Sequence, residues 1–190
     1  MFKERAARFA STASVRLFAA FFAIYAITAP GGYEVSDGIL RYETAKSWID
    51  GNGGALPASD FGNGPGAAAW DGRIFAPYGP LQSILMTPVV LLAMQLSQRS
   101  ADTFSKLLFG ILVIPLVSAL SMVVLFQALN TFGYSRRVAL WTTVFVGLAT
   151  PMWHYSRSGQ EENIIGLAFA IYLLGIGRLL RHFRGPEGTT

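Results

Sequence analysis

The sequence contains no cysteine and unusually few charged residues. The absence of cysteine excludes disulfide bonds and thiolate metal sites. Only 14% of the 190 residues are charged, whereas soluble domains average about 25%. Hydrophobic residues make up 52% of the chain, the mean hydropathy is +0.42, and apolar runs recur along most of its length. These features together predict an integral membrane protein.

The sequence also lacks the short motifs of soluble nucleotide and hydrolase chemistry. It has no glycine-rich phosphate-binding motif, no serine nucleophile elbow and no cluster of Cys and His residues. We therefore expect neither a soluble nucleotide-dependent enzyme nor a nucleic-acid partner.

Five apolar segments are long enough, or nearly so, to cross a bilayer. They lie at residues 13–30, 79–97, 104–129, 138–154 and 163–181. Basic residues cluster at the N-terminus, at Arg136-Arg137 and in the tail that begins at Arg178. Because Lys and Arg accumulate on the cytoplasmic side, an even number of crossings should separate each pair of basic clusters.

Segment 79–97 is the one that we expect not to cross. It opens with Gly79-Pro80 and carries Pro88 in its middle, which favours an interfacial or re-entrant helix. The alternative is five spans with an outward-facing basic tail. A cleaved signal peptide ending near Ala29 is an alternative reading of the first span.

The predicted fold is therefore an all-α integral membrane module with about four transmembrane helices, at 13–30, 104–129, 138–154 and 163–181. Both termini would be cytoplasmic, and residues 31–103 would form an outer loop that carries surface helices. Within this loop, apolar residues recur at a helical spacing and predict an amphipathic helix on the membrane surface. They are Val35, Ile39, Tyr42, Ala45 and Ile49.

Asp37 is the first candidate for chemistry, because it follows the first span at the start of this helix. A carboxylate there could accept a proton from an attacking hydroxyl group as a general base. The structural alternative is that Asp37 or Ser36 caps the helix and complements its dipole.

The second candidate site lies between the last two spans, where charge is costly unless it meets a partner, water or a ligand. Glu161 and Glu162 could bind a divalent cation, hold an acceptor sugar or orient the base, or they could simply complement the dipole of the next helix. They point about 100° apart on a helix, so only one should face a given site. Arg157 could bind a phosphate oxygen or reach lipid head groups. Arg73 and Tyr78 could line a cleft beneath the loop. For His154 we favour interfacial packing over the alternative of metal ligation.

Three short segments resemble motifs of the GT-C superfamily of membrane glycosyltransferases, in the protein mannosyltransferase and aminoarabinose transferase branch. The first outer loop places the acidic Asp37 ahead of an aromatic-containing surface helix, and the second surface segment is entered through Gly79-Pro80. The third is a Thr-Pro-aromatic-Tyr-Ser-Arg stretch with a downstream carboxylate. These segments are residues 36–46, residues 78–83, and residues 149–157 followed by Glu162.

The resemblance implies a function on the outer face of a bacterial inner (plasma) membrane. Members transfer a sugar from a polyprenyl-phosphate donor to an acceptor, some with a divalent cation such as Mg²⁺ or Mn²⁺. Asp37 would be the catalytic base, Glu162 the carboxylate near acceptor or metal, and Arg157 the candidate for the donor phosphate.

Such enzymes usually have many more spans than this chain, so the resemblance covers their N-terminal part. We therefore expect the chain to be incomplete alone: a fragment, a half whose fold a second membrane chain completes, or a degenerate relative. Two rivals stay open: a non-catalytic membrane subunit that docks a partner through segment 79–97, and a small transporter, which the lack of charge in mid-span disfavours.

Overall fold

The computed structural model describes residues 2–32, 36–58, 66–96, 101–158 and 160–183. These residues are mostly helical. The α-helices are α1 (Phe2–Thr28), α2 (Ser36–Ile49), α3 (Leu81–Leu96), α4 (Ala101–Leu108), α5 (Ile114–Thr131), α6 (Arg136–Leu148), α7 (Pro151–Ser158) and α8 (Glu162–Phe183). A π-helical segment, Phe109–Val113, joins α4 to α5.

A small antiparallel hairpin interrupts the helices. Its strands are β1 (Ala67–Ala68) and β2 (Ile74–Phe75), with Ala67 opposite Phe75. Leu56 forms an isolated antiparallel bridge to Ile74, so a third segment of the chain pairs with β2. Gly72 has φ +81, and this left-handed conformation lets the chain reverse between the strands.

The chain divides into two compact units. The bundle unit consists of Met1–Thr28, Ile114–Arg157 and Glu162–Thr190, and the loop unit consists of Ala29–Val113 and Ser158–Glu161. The candidate residues are distributed over both.

In the bundle unit, α5 packs against α1, α6 and α8. Phe21, Tyr25 and Met122 are buried in its core. The Tyr25 hydroxyl donates a hydrogen bond of 2.9 Å to the carbonyl oxygen of Gly147, so a polar atom inside an apolar core is satisfied. A Cβ at Gly147 would overlap Phe21, Tyr25 and Met122, which means that only glycine permits this close packing.

In the loop unit, α2 packs on α3 and α3 packs on α4. A small apolar cluster of Leu40, Leu56 and Ile74 joins α2 to the hairpin. On another side of α2, the buried Tyr42 donates a hydrogen bond to Asp102 (2.9 Å) and lies 3.0 Å from the Ser105 hydroxyl. Helix α2 is therefore held from two directions.

The helices differ in how closely their length and apolar character match the predicted membrane spans. Among the described residues, two helices are long and apolar enough to cross a membrane: the continuous helical stretch Ala101–Thr131 and α8. The apolar part of α1, Thr12–Thr28, and helix α3, Leu81–Leu96, are shorter apolar helices. The all-helical character predicted from the sequence is confirmed apart from the hairpin, whereas the number of crossings stays a prediction.

The segment predicted as the span 138–154 is two helices, α6 and α7, rather than one. Helix α6 ends at Leu148, and α7 begins at Pro151. Proline fits the first turn of a helix because its missing N–H would have no partner there. The Thr150 hydroxyl accepts a hydrogen bond of 3.2 Å from the Met152 N–H and so caps α7.

Candidate functional site

The loop unit brings four polar side chains together in an acidic network of Asp37, Arg41, Tyr78 and Glu161. Asp37 is in the first turn of α2, and Arg41 follows one helical turn later on the same face. Tyr78 lies in the segment between β2 and α3, and Glu161 lies in the turn before α8. Residues from separate parts of the chain therefore meet at the N-terminal half of α2.

The contact between Tyr78 and Asp37 defines one end of the network. The Tyr78 hydroxyl donates a hydrogen bond of 2.7 Å to Asp37 Oδ1. This bond to a carboxylate raises the pKa of Tyr78 above its ordinary value, because it disfavours loss of the phenolic proton. Tyr78 thereby fixes the orientation of the carboxylate that we predict as a base.

Arg41 occupies the centre of the network and is only 2% exposed. Its Nη2 lies 2.9 Å from Glu161 Oε2, and its guanidinium carbon lies 4.3 Å from the centre of the Tyr78 ring. A buried guanidinium needs such a partner, since an isolated charge in a low-dielectric environment is strongly destabilising. Arg41 thus connects the carboxylate of the second predicted site to the tyrosine that holds Asp37.

Arg41 is not among the site residues predicted from the sequence, because it lies outside the apolar stripe of α2. The available signal was its spacing of four residues from Asp37, which places both side chains on one helix face. That spacing alone does not distinguish a solvated pair from a buried one.

Of the two adjacent glutamates, Glu161 contacts the network and belongs to the loop unit. Glu162 begins α8 in the bundle unit, and its Oε2 is buried without a hydrogen-bond partner among the described residues. Arg157 is also in the bundle unit, where its guanidinium lies 5.8 Å from the Trp153 ring. Its Nε has no acceptor within the described part of the chain. The His154 and Tyr155 rings pack edge to face.

Arg73 lies in the hairpin and is bound to its neighbour Asp71. The Arg73 Nε donates a hydrogen bond of 2.6 Å to Asp71 Oδ2, and its backbone N–H donates to Asp71 Oδ1. These bonds, the backbone one foremost, lower the pKa of Asp71. The guanidinium also lies 5.3 Å from the Phe75 ring. These contacts favour a structural role for Arg73 in shaping the hairpin.

A divalent cation fits this arrangement poorly. Within the described ranges, no group of three His, Asp or Glu side chains is placed to hold a metal ion. Asp37 and Glu161 are engaged by a hydroxyl donor and a guanidinium, whereas a Mg²⁺ site needs carboxylate oxygens directed at the ion. We therefore derive the chemistry of the site from the side chains of this chain.

Comparison with known proteins returned no matching family model, no matching curated protein and no matching solved structure. The likeness to GT-C glycosyltransferases thus depends on the three sequence segments alone.

Proposed function

We propose that this chain is the N-terminal module of a GT-C-like glycosyltransferase, which transfers a sugar from a polyprenyl-phosphate donor to an acceptor hydroxyl on the outer face of the membrane. The observation that carries the proposal is the acidic network. It joins Asp37, from the first predicted outer loop, to Glu161, from the second, within one compact unit.

In the proposed reaction, the acceptor hydroxyl oxygen attacks the anomeric carbon of the donor sugar. The bond between that carbon and the phosphate oxygen breaks, and the bonding electrons leave with the polyprenyl phosphate. The hydroxyl proton passes to Asp37, which acts as general base. Tyr78 orients the carboxylate through its 2.7 Å hydrogen bond.

The other candidate residues keep the roles that the resemblance implies. Arg157 would pair with the phosphate of the donor, because a guanidinium offers several fixed N–H donors to phosphate oxygens. Glu162 would approach the acceptor. Both residues have a buried polar atom without a partner among the described residues, which is consistent with a ligand completing their contacts.

Four crossings with both termini inside are part of the same proposal. The helices Ala101–Thr131 and α8 are long and apolar enough to be two of these crossings. Helix α1 and the α6–α7 pair would supply the others, while α3 would lie at the interface. A lipid-linked donor carries its phosphate at the membrane interface, which is the depth that this topology gives to both acidic loops.

Transfer by variants tests the proposed function. Asp37→Asn should abolish sugar transfer from a polyprenyl-phosphate donor in membranes, together with any chain that completes the enzyme. Asp50→Asn, an exposed carboxylate beyond the end of the same helix, is the matched control and should retain transfer. If the Asp37→Asn variant transferred sugar at the wild-type rate, Asp37 would be excluded as the base.

The non-catalytic alternative is favoured by the apolar surface of α3. Leu81, Ile84 and Leu96 are each more than half exposed on this helix. A docking subunit would use this surface for a partner protein and would be indifferent to Asp37→Asn. The docking subunit would be favoured over the enzyme by three results together. Ile84→Asn would lose assembly with the partner, Asp37→Asn would assemble normally, and the wild type would show no transfer.

A further inference from the structure

A small cleft lies beside the acidic network within the loop unit. Its volume is about 170 Å³, and it is lined by Arg41, Thr44, Trp48, Phe75, Tyr78 and Ser83, among others. Pockets for drug-sized ligands span roughly 300–1,000 Å³. The cleft therefore has room for a single ring and not for an extended chain.

The walls of the cleft are aromatic. Trp48, Phe75 and Tyr78 each contribute a ring, from α2, from the hairpin and from the segment before α3. Trp48 is packed tightly in place, since a Cβ at Gly54 would lie 2.6 Å from its Nε1. Fixed rings present flat apolar surface at low entropic cost, which suits a ligand with an apolar face.

One residue of the cleft lining, Arg41, has an unsatisfied donor. Arg41 is 2% exposed, and its Nε has no hydrogen-bond partner among the described residues. Buried N–H groups are nearly always paired, so this one calls for an acceptor from a ligand or from water. The buried Thr44 hydroxyl donates to the Leu40 carbonyl at 2.8 Å, and its oxygen can still accept a hydrogen bond.

The charge in the cleft is balanced. Among the described residues that line the cleft, Arg41 is the only charged one, and Glu161 already pairs with it at 2.9 Å. A site whose one cation is neutralised gives little preference for a phosphate. Aromatic faces, a neutral polar edge and limited volume match a ring that has C–H faces and hydroxyl edges.

We propose that this cleft binds one uncharged sugar ring of the acceptor, so that the acceptor is a carbohydrate. The assignment to the acceptor rests on the proposed function. Tyr78 is both a wall of the cleft and the hydrogen-bond donor to Asp37, so the cleft and the proposed base share this residue. The donor sugar carries a phosphate, and the one cation among the described lining residues, Arg41, already pairs with Glu161.

Fluorine NMR of the full chain labelled with fluorotryptophan tests this inference without an activity assay. The probes are methyl mannopyranoside, methyl arabinofuranoside, methyl N-acetylglucosaminide, inorganic phosphate and a short-chain prenyl-phosphoryl mannose. We expect at least one methyl glycoside to shift the Trp48 resonance saturably. The resonances of Trp70, Trp141 and Trp153, which lie outside the cleft lining, should not move.

Variants assign the shift to the cleft. Arg41→Gln should weaken glycoside binding about tenfold, which corresponds to the loss of one hydrogen bond to a charged donor. Thr44→Val keeps the ion pair and the side-chain shape, and should weaken binding severalfold. Gly54→Ala should displace Trp48 and remove binding, while Gly51→Ala should not. Gly51 has a similar φ of +77 but no heavy atom within 4 Å of an added Cβ.

The outcomes separate this inference from the proposed function. If wild type binds a glycoside but transfers no sugar, the sugar site is retained and the proposed transferase activity is rejected. If wild type transfers sugar but binds no glycoside, the transferase activity is retained and the sugar site is rejected. Competition by inorganic phosphate would show an anion site and overturn the inference. A Trp48 shift with prenyl-phosphoryl mannose alone would place the donor sugar in the cleft and overturn the assignment to the acceptor.

Discussion

Arg41 Nη2 lies 2.9 Å from Glu161 Oε2, and the arginine is almost completely buried. This ion pair joins the first turns of α2 to the turn that precedes α8, two parts of the chain that are far apart in sequence. It also fixes the guanidinium over the Tyr78 ring, and Tyr78 in turn holds Asp37. The position of the predicted base therefore depends on a residue from the other acidic loop.

Removing the Glu161 charge should destabilise the protein. Glu161→Gln leaves a buried guanidinium without its counter-charge, an event that costs about 3–5 kcal/mol at fully buried pairs. Because the Glu161 side chain is 40% exposed, solvent screening reduces the expected loss to about 1–2 kcal/mol. The difference between the thermal unfolding midpoints of the variant and the wild type, measured in the same detergent, reports this loss.

Glu162→Gln is the matched control for that loss. The Glu162 carboxylate makes no ion pair among the described residues. Its replacement should therefore change the free energy of unfolding by about a few tenths of a kcal/mol, as expected for a charge in the first turn of a helix. Equal loss in both variants would contradict the Arg41–Glu161 contact.

Asp37→Asn should lower the pKa of Tyr78 towards its ordinary value, because the hydrogen bond to a carboxylate is the largest cause of the increase. A folded-state pKa above the unfolded one contributes stability that is complete below the ordinary tyrosine pKa of about 10. That contribution is lost as pH rises through the folded value. NMR of isotope-labelled tyrosine rings during a pH titration measures the change, and an unaltered Tyr78 titration in Asp37→Asn would exclude the hydrogen bond.

Two glycine substitutions in the bundle unit should have opposite effects. Gly147→Ala adds a Cβ that overlaps Phe21, Tyr25 and Met122, and overpacking of this kind costs about 1–3 kcal/mol. Gly175→Ala in α8 meets no atom within 4 Å and should stabilise the helix by up to about 1 kcal/mol. Unfolding midpoints of both variants decide this, and equal midpoints would show that Gly147 is not closely packed.

The topology can be mapped with single cysteines, since the chain has none of its own. Cysteines at positions 36 and 158 should react with a membrane-impermeant reagent in intact cells, and those at 135 and 189 should not. Labelling of 135 with protection of 158 would place the acidic loops on opposite sides. In that case the glycosyltransferase proposal would be abandoned.

The sequence by itself determined the helical class of the fold and the approximate position of most helices, because long apolar runs and helical spacing are local signals. It also singled out Asp37, Tyr78 and Glu161 as candidates. It did not predict the break between α6 and α7, although Thr150-Pro151 contained the signal for a capped helix start.

Only the tertiary structure decided which candidates meet. Glu161 and Glu162 are adjacent in sequence, yet one pairs with Arg41 in the loop unit and the other begins α8 in the bundle unit. Arg41 has the spacing of a surface residue but is buried, because burial depends on what packs over a helix face. Charge pairing and burial arise from contacts between distant parts of the chain, and local sequence does not encode them.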